Sequence, residues 1–247
     1  MQIQKFTSYD ELSMKAAQFV CETIETGLVE NNRFTLCLPT GSTPIGMYTE
    51  LLKLFEAKPD LDLSNFHTVN LDEYYPMKRS NPHSYYNLMM NHFWRRLSEI
   101  NKTFVIENNA HIPNGEAKNP EKEGQEYEET ISRLGGIDLA VLGVGINGHI
   151  GFNEPGSEAD SRTRLVELTP ETRQANSRFY TSIEEVPTQA LTMGIATIMD
   201  SEKILLLIAG EGKKNILESL IQNQVKADIP ATLLLRHTNF TIYTEPY

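Results

Sequence analysis

The sequence predicts an α/β fold, a mostly parallel sheet with helices on both faces, on two observations. Short apolar runs of strand length alternate with segments of helical period along nearly the whole chain. Several of those runs end in loops rich in glycine, hydroxyls or paired acids, which open parallel sheets carry at the carboxyl ends of their strands. At 247 residues, with no internal repeat, low-complexity tract or long linker, the chain is read as a single domain spanning 1–247.

The elements follow in order. Ser8-Tyr9-Asp10-Glu11 has the spacing of a capping box and opens a helix through about Val29. Phe34 to Leu38 is a short apolar strand, and Pro44 starts a helix that continues from Met47 to Phe55. Phe66 to Leu71 is a second strand, ending at the acidic pair Asp72-Glu73. A helix covers about Ser84 to Ile100, with Tyr85, Leu88, Met89, His92, Phe93 and Leu97 along one face. A charged helix from about Pro120 to Leu134 precedes the buried strand Ile137 to Leu142. A helical stretch from about Thr188 to Met199, a strand from Lys203 to Ala209, a helix from Gly212 to Gln222 and a strand from Asn239 to Thr244 complete the chain.

Composition narrows the function classes. With 40% hydrophobic and 22% charged residues the chain reads as a folded globular protein. A net charge of −11 repels nucleic acid and anionic membranes, and no basic run reverses it locally. The longest apolar runs, such as Ile204 to Ala209, are too short to span a bilayer, and the first residues lack the apolar core of a signal peptide. Cys21 and Cys37 sit in helix and strand patterns, as reduced core thiols of a cytoplasmic protein, and neither has metal-ligand spacing.

Three loops fall on one edge of such a sheet. Leu38 to Pro44 is a small hydroxyl-rich turn running into a helix; it is an anion site if its N–H groups face a ligand, and otherwise a plain N-cap turn. It lacks the Gly-Lys-Ser/Thr ending of a nucleotide P-loop. Asp72-Glu73 places two carboxylates at the end of a buried strand, where one serves as a general base or both cap a turn. The third loop runs from Gly143 to Pro155, and its glycines carry His149 and Glu154 five residues apart. Gly143-x-Gly145-x-x-Gly148 satisfies a dinucleotide-binding pattern, but the residues after Gly148 cannot begin a regular helix, so no nicotinamide cofactor is expected. Arg162, Arg164, Arg173 and Arg178 form a local arginine density suited to phosphate oxygens. Lys213 and Lys214, after Gly210-Glu211-Gly212, put cations at a helix start, where the dipole favours acids; an interior anion or plain solvation accounts for them.

Five motifs in order, at 38–44, 70–75, 143–155, 175–179 and 210–213, resemble the glucosamine/galactosamine-6-phosphate isomerase family over nearly the whole chain. The resemblance implies a modified Rossmann-like sheet and a cofactor-free reaction. In that reaction, glucosamine 6-phosphate and water become fructose 6-phosphate and ammonia. On the family's pattern His149 opens the sugar ring, Glu154 and Asn147 orient and polarise it, and Asp72 removes the C2 proton. Thr40, Gly41, Ser42, Thr43, Gly143, Gly145, Arg178 and Lys213 are the corresponding substrate-binding positions, with the phosphate on the 41–43 turn, Arg178 and Lys213; the other arginines are left structural. No metal is implied.

Two departures stand out. Some members carry an aspartate where this chain has Asn147, which leaves any charge relay to Glu154. Longer, hexameric members resemble enzymes activated by N-acetylglucosamine 6-phosphate through a Lys and a Thr just after the arginine matching Arg164. Val166 and Glu167 stand there, and the chain ends at Tyr247, so weak or absent allostery is expected, with monomer or homo-oligomer left open. Competing readings are a galactosamine 6-phosphate deaminase, a 6-phosphogluconolactonase, and a non-catalytic sugar-phosphate sensor. The lactonase needs no base at C2, and sensors of that kind carry a DNA-binding module for which this chain has no basic patch.

Overall fold

The protein is described from a computed structural model covering residues 1–210 and 212–245. Its elements are β1 (Gln2–Lys5), α1 (Tyr9–Asn31), β2 (Phe34–Leu38), α2 (Ile45–Glu56), β3 (Phe66–Asn70), β4 (Asp72–Tyr75), α3 (Tyr85–Met89), α4 (Arg95–Ile100), α5 (Ile106–Asn109), β5 (Ala110–His111) and α6 (Pro120–Arg133). They continue with β6 (Leu139–Gly143), β7 (Arg164–Glu167), α7 (Pro170–Asn176), β8 (Gln189–Thr192), α8 (Ile195–Met199), β9 (Ile204–Ile208), α9 (Lys214–Ile221) and β10 (Phe240–Thr244). Glu211, within the motif at 210–213, and Tyr247 lie outside the described residues.

A seven-stranded sheet in the order β1-β10-β9-β6-β2-β3-β5 forms the centre, and every pairing in it is parallel. Strands β2 and β9 are buried at every position, as a sheet covered on both faces requires. One face packs Leu12, Val20, Tyr48, Leu51, Phe93 and Trp94 from α1, α2 and the segment after α3. The other packs Tyr127, Ile131, Ile198, Ile216 and Leu220 from α6, α8 and α9. The chain runs outward from β2 through β3 to β5, then restarts at β6 on the other side. That reversal opens a crevice beyond the carboxyl ends of β2 and β6.

The structure corrects three sequence readings and adds a strand that the sequence did not show. Asp72-Glu73 is not a loop: it begins β4, which pairs antiparallel with β8 in a separate small sheet β4-β8-β7. The stretch from Thr188 to Met199 is not one helix, since Gln189–Thr192 supplies that partner strand and only Ile195–Met199 is helical. Gly194 separates the two; a Cβ there would lie 2.1 Å from the carbonyl oxygen of Ser161. The helix from Ser84 to Ile100 is interrupted by a π-helical turn at Met90–Trp94, which seats Phe93 and Trp94 in the core and lets Trp94 Nε1 donate to Thr68 Oγ1 at 2.9 Å. The polar strand β1, with three of four residues exposed, carries no apolar signal and forms only by pairing with β10.

Candidate active site

Four parallel strands, β9, β6, β2 and β3, stand side by side and deliver their following loops to one cavity of about 690 Å³. Pro39 to Thr43 enters after β2, Asp72 after β3, Gly143 to Phe152 with and after β6, and Gly210 and Lys213 after β9. The segment from Glu171 to Tyr180 closes a further side.

Asp72 is 4% exposed and lies between a hydroxyl and bare backbone. Thr40 Oγ1 donates to its Oδ1 at 3.4 Å, and a Cβ on Gly151 would come within 3.3 Å of its Oδ2. Burial, with the neighbouring charge of Glu73 second, raises its pKa to about 8. Glu73 has the other role foreseen for this pair: it accepts backbone N–H groups of Tyr74, Tyr85 and Tyr86 at 2.9, 3.0 and 2.9 Å, fastening β4 to the start of α3. Burial still raises its pKa to about 7 against those three donors. Only Asp72 of the two lines the cavity.

The glycine loop builds a chain of hydrogen bonds behind His149. Asn147 Nδ2 donates to Glu154 Oε2 at 2.8 Å, which leaves Asn147 Oδ1 as the acceptor facing His149 Nδ1 at 2.7 Å. His149 Nδ1 therefore carries the proton, and Nε2 is left with a free lone pair toward the cavity. Glu154 is 8% exposed; its second oxygen accepts from Thr169 Oγ1 at 3.2 Å and from Thr172 Oγ1 in a shorter contact. Burial lowers the pKa of His149, Glu154 pulls it up and Lys213 lowers it further; the net direction is down, toward a neutral ring. Gly145 is required here because a Cβ would fall 2.1 Å from the imidazole Cε1. Gly148, at φ +83°, turns the chain back, and Gly151 adopts φ +57° beside Asp72. After Gly148 come turns and a single bridge between Ile150 and Asn153, with no helix to receive a pyrophosphate.

Two hydroxyls and two cations come together in the cavity where three segments meet. Gly41 at φ +101° bends the turn after β2, although a Cβ there would touch nothing. Arg178 Nη2 reaches Ser42 Oγ at 3.5 Å, and Lys213 Nζ reaches Thr43 Oγ1 at 3.4 Å. Burial, and then Arg178, push the Lys213 pKa down, as expected of two cations waiting for an anion. Lys213 caps the start of α9, against the helix dipole. Gly143 and Gly145 line the same cavity; a Cβ on Gly143 would touch nothing, whereas Gly145 abuts the His149 ring. The remaining arginines point elsewhere: Arg162 pairs with Asp200 at 2.5 Å, Arg164 donates to Asn153 Oδ1 at 3.0 Å, and Arg173 to the carbonyls of Ile183 and Val186, each at 3.0 Å.

Sequence reasoning missed several contributors. Thr169 and Thr172 are the hydroxyl pair on Glu154, and the pattern Thr169-Pro170-Glu171-Thr172 reads only as a helix N-cap. The aromatic wall of Tyr74, Tyr85, Phe152 and Tyr180 was not foreseen, although Tyr74 and Phe152 lie within the motifs at 70–75 and 143–155; Tyr85 and Phe152 stack at 6.1 Å and Tyr74 sits 4.8 Å from Tyr85.

Comparison with known proteins identifies the family. A family model described as glucosamine-6-phosphate isomerases/6-phosphogluconolactonase matches residues 7–243. A glucosamine-6-phosphate deaminase of Thermoanaerobacter pseudethanolicus is 43% identical over 95% of this chain and 88% of its own. One from Clostridium botulinum is 42% identical over 98% and 95%. The solved structure of a monomeric glucosamine-6-phosphate deaminase superposes with a TM-score of 0.92 at 40% identity, covering 99% of this chain and 97% of that one. A 6-phosphogluconolactonase of Shewanella baltica, at 18% identity, TM-score 0.73 and 100% and 98% coverage, shares the fold alone. The chain thus belongs to the glucosamine-6-phosphate isomerase/6-phosphogluconolactonase family.

Proposed function

We propose that this protein is a glucosamine-6-phosphate deaminase that forms fructose 6-phosphate and ammonia without a cofactor. The observation that carries the reading is one cavity lined by three groups: a buried carboxylate, an imidazole with Nε2 free, and an anion pocket of two hydroxyls and two cations. The 43% identical deaminase supports the substrate class.

The steps follow from the groups. The 6-phosphate sits among Ser42, Thr43, Arg178 and Lys213, which fixes the far end of the sugar. Neutral His149 takes the O1 proton on Nε2 and returns it to the ring oxygen, opening the ring. Asp72, ionised, removes the proton at C2; the C1 carbonyl oxygen takes up the electron pair and a proton from the C2 ammonium, and an enolamine forms. Asp72 returns that proton to C1, giving a C2 imine, and water adds at C2 to release ammonia. A carboxylate whose pKa lies near 8 is a far stronger base than an exposed one, so burial suits Asp72 to a weakly acidic carbon. Asn147 and Glu154 act through His149 and are positioning groups.

A buried base at C2 favours deamination over lactone hydrolysis, which breaks no C2–H bond. Glucosamine and galactosamine 6-phosphates differ at C4, a carbon on which neither Asp72 nor His149 acts in these steps, and we assign the glucosamine form from the relatives. We also propose a monomer without activation by N-acetylglucosamine 6-phosphate, since Val166 and Glu167 lie in β7 and Glu167 is engaged by Gln189 Nε2 at 2.6 Å. The 40% identical monomeric deaminase supports this. The test is ammonia release from glucosamine 6-phosphate and galactosamine 6-phosphate, run in parallel with acid release from 6-phosphogluconolactone. Highest kcat/KM on the first is expected; faster turnover of either other substrate would overturn the assignment.

A further inference from the structure

We propose that Tyr9, outside the cavity on the first turn of α1, is a positioning residue for the phosphate pocket; this rests on the assignment of the 41–43 turn as that pocket. Tyr9 Oη donates to the carbonyl of Thr43 at 2.9 Å, with the carbonyl of Ser42 at 3.2 Å, and accepts the N–H of Gly46 at 2.9 Å. From the other side Tyr48 Oη donates to the carbonyl of Pro39. Three carbonyl oxygens of the turn are thus engaged by phenols, and neither phenol lines the cavity.

This matters because a carbonyl oxygen turned toward a phosphate repels it, whereas an N–H or hydroxyl binds it. The turn has a left-handed residue at its centre, Gly41 at φ +101°, and no regular secondary structure from Pro39 to Pro44 to hold its peptide planes. Beyond one long backbone bond, from the Ile45 N–H to the Ser42 carbonyl at 3.4 Å, it is side chains that fix which way those planes face. Gly46 makes the approach feasible: a Cβ there would lie 2.3 Å from Ser13 Oγ and 3.0 Å from Tyr9 Cε1, so glycine lets α2 lie close enough for the phenol to reach. Ser42 and Thr43, whose carbonyls Tyr9 engages, are the residues whose hydroxyls meet Arg178 and Lys213.

Tyr9→Phe removes the oxygen and keeps the ring. Its expected effect is a rise of about tenfold in KM for the sugar phosphate, and a matching rise in the competitive inhibition constant of inorganic phosphate. kcat should stay within about twofold, because the lost contact serves ground state and transition state alike. Lys58→Ala is the control: it removes the bond from Lys58 Nζ to Glu25 on the same helix without touching the turn, and should lower Tm while leaving phosphate inhibition unchanged. A Tyr9→Phe enzyme with a lowered Tm and a wild-type phosphate inhibition constant would overturn the inference. Lys213→Ala separates that result from failure of the underlying reading. If phosphate competes in wild type and is weakened by Lys213→Ala but not by Tyr9→Phe, Tyr9 alone is excluded. If phosphate does not compete even in wild type, both the pocket assignment and the inference fall.

Discussion

His149 presents its Nδ1 to an amide oxygen, Asn147 Oδ1, at 2.7 Å, and the nearest carboxylate oxygen, on Glu154, stands 3.6 Å from the same nitrogen. An amide fixes the tautomer as a carboxylate would, but adds no negative charge to hold a proton on the ring. Buried and without a direct anionic partner, the imidazole has a pKa below its ordinary 6.5 and serves as a neutral base. The asparagine therefore orients the ring without charging it.

Asn147→Asp should raise the His149 pKa, because a carboxylate then replaces the amide at hydrogen-bond distance. The imidazole resonances, followed by NMR across pH in the ligand-free protein, report it directly. A midpoint unchanged from wild type would show that Asn147 does not control the ring's charge.

Asp72 links activity and stability with opposite signs. Its folded pKa of about 8 exceeds the unfolded 3.8, so the folded state holds more protons between those values, and stability falls as pH rises through that window. In the free enzyme kcat/KM should rise with pH toward the same value, as the base ionises. Asp72→Asn should remove turnover yet raise Tm at pH 8 by on the order of 5 °C. A mutant less stable than wild type at that pH would contradict the burial argument.

Gly145→Ala pushes a methyl group into the His149 ring, where 2.1 Å separates the Cβ position from Cε1. kcat should fall about 100-fold as ring opening is misaligned, while inhibition by inorganic phosphate changes little. Equal losses in both would mean that the loop as a whole had moved.

Thr172→Val removes one hydroxyl from the buried Glu154 carboxylate and Thr172→Ser retains it. We expect kcat to drop about tenfold in the valine enzyme, with recovery in the serine enzyme. Similar rates in both variants would remove Thr172 from the orienting chain.

Rates plotted against glucosamine 6-phosphate should be hyperbolic, and N-acetylglucosamine 6-phosphate should leave them unchanged. A sigmoidal curve straightened by that compound would show an allosteric site despite Val166 and Glu167.

Much of the site was legible because it is built from short local segments. The 38–44 turn, Asp72 and the 143–155 loop each follow a parallel strand, so a pattern of buried runs and loop residues locates them. The roles within pairs were less legible. Whether Asp72 or Glu73 faced the ligand depended on β4 pairing with β8, a long-range contact that flips alternate side chains. The sequence offered Gly145 as bare backbone for a sugar; its closer constraint is the imidazole ring of His149, in the same loop but visible only once folded. Tyr9 and Thr172 lie in helix-capping patterns that say nothing of the site, since one acts across 34 residues on a carbonyl and the other across 18 on a side chain.

Glucosamine 6-phosphate deuterated at C2 tests the central assignment, with product analysed at C1 and ammonia counted. Wild type should release ammonia with a primary isotope effect and carry some deuterium into C1 of fructose 6-phosphate, while Asp72→Asn should fall about 10³-fold in rate. Ammonia release by Asp72→Asn at near wild-type rate, with the label still transferred, would contradict Asp72 as the base at C2.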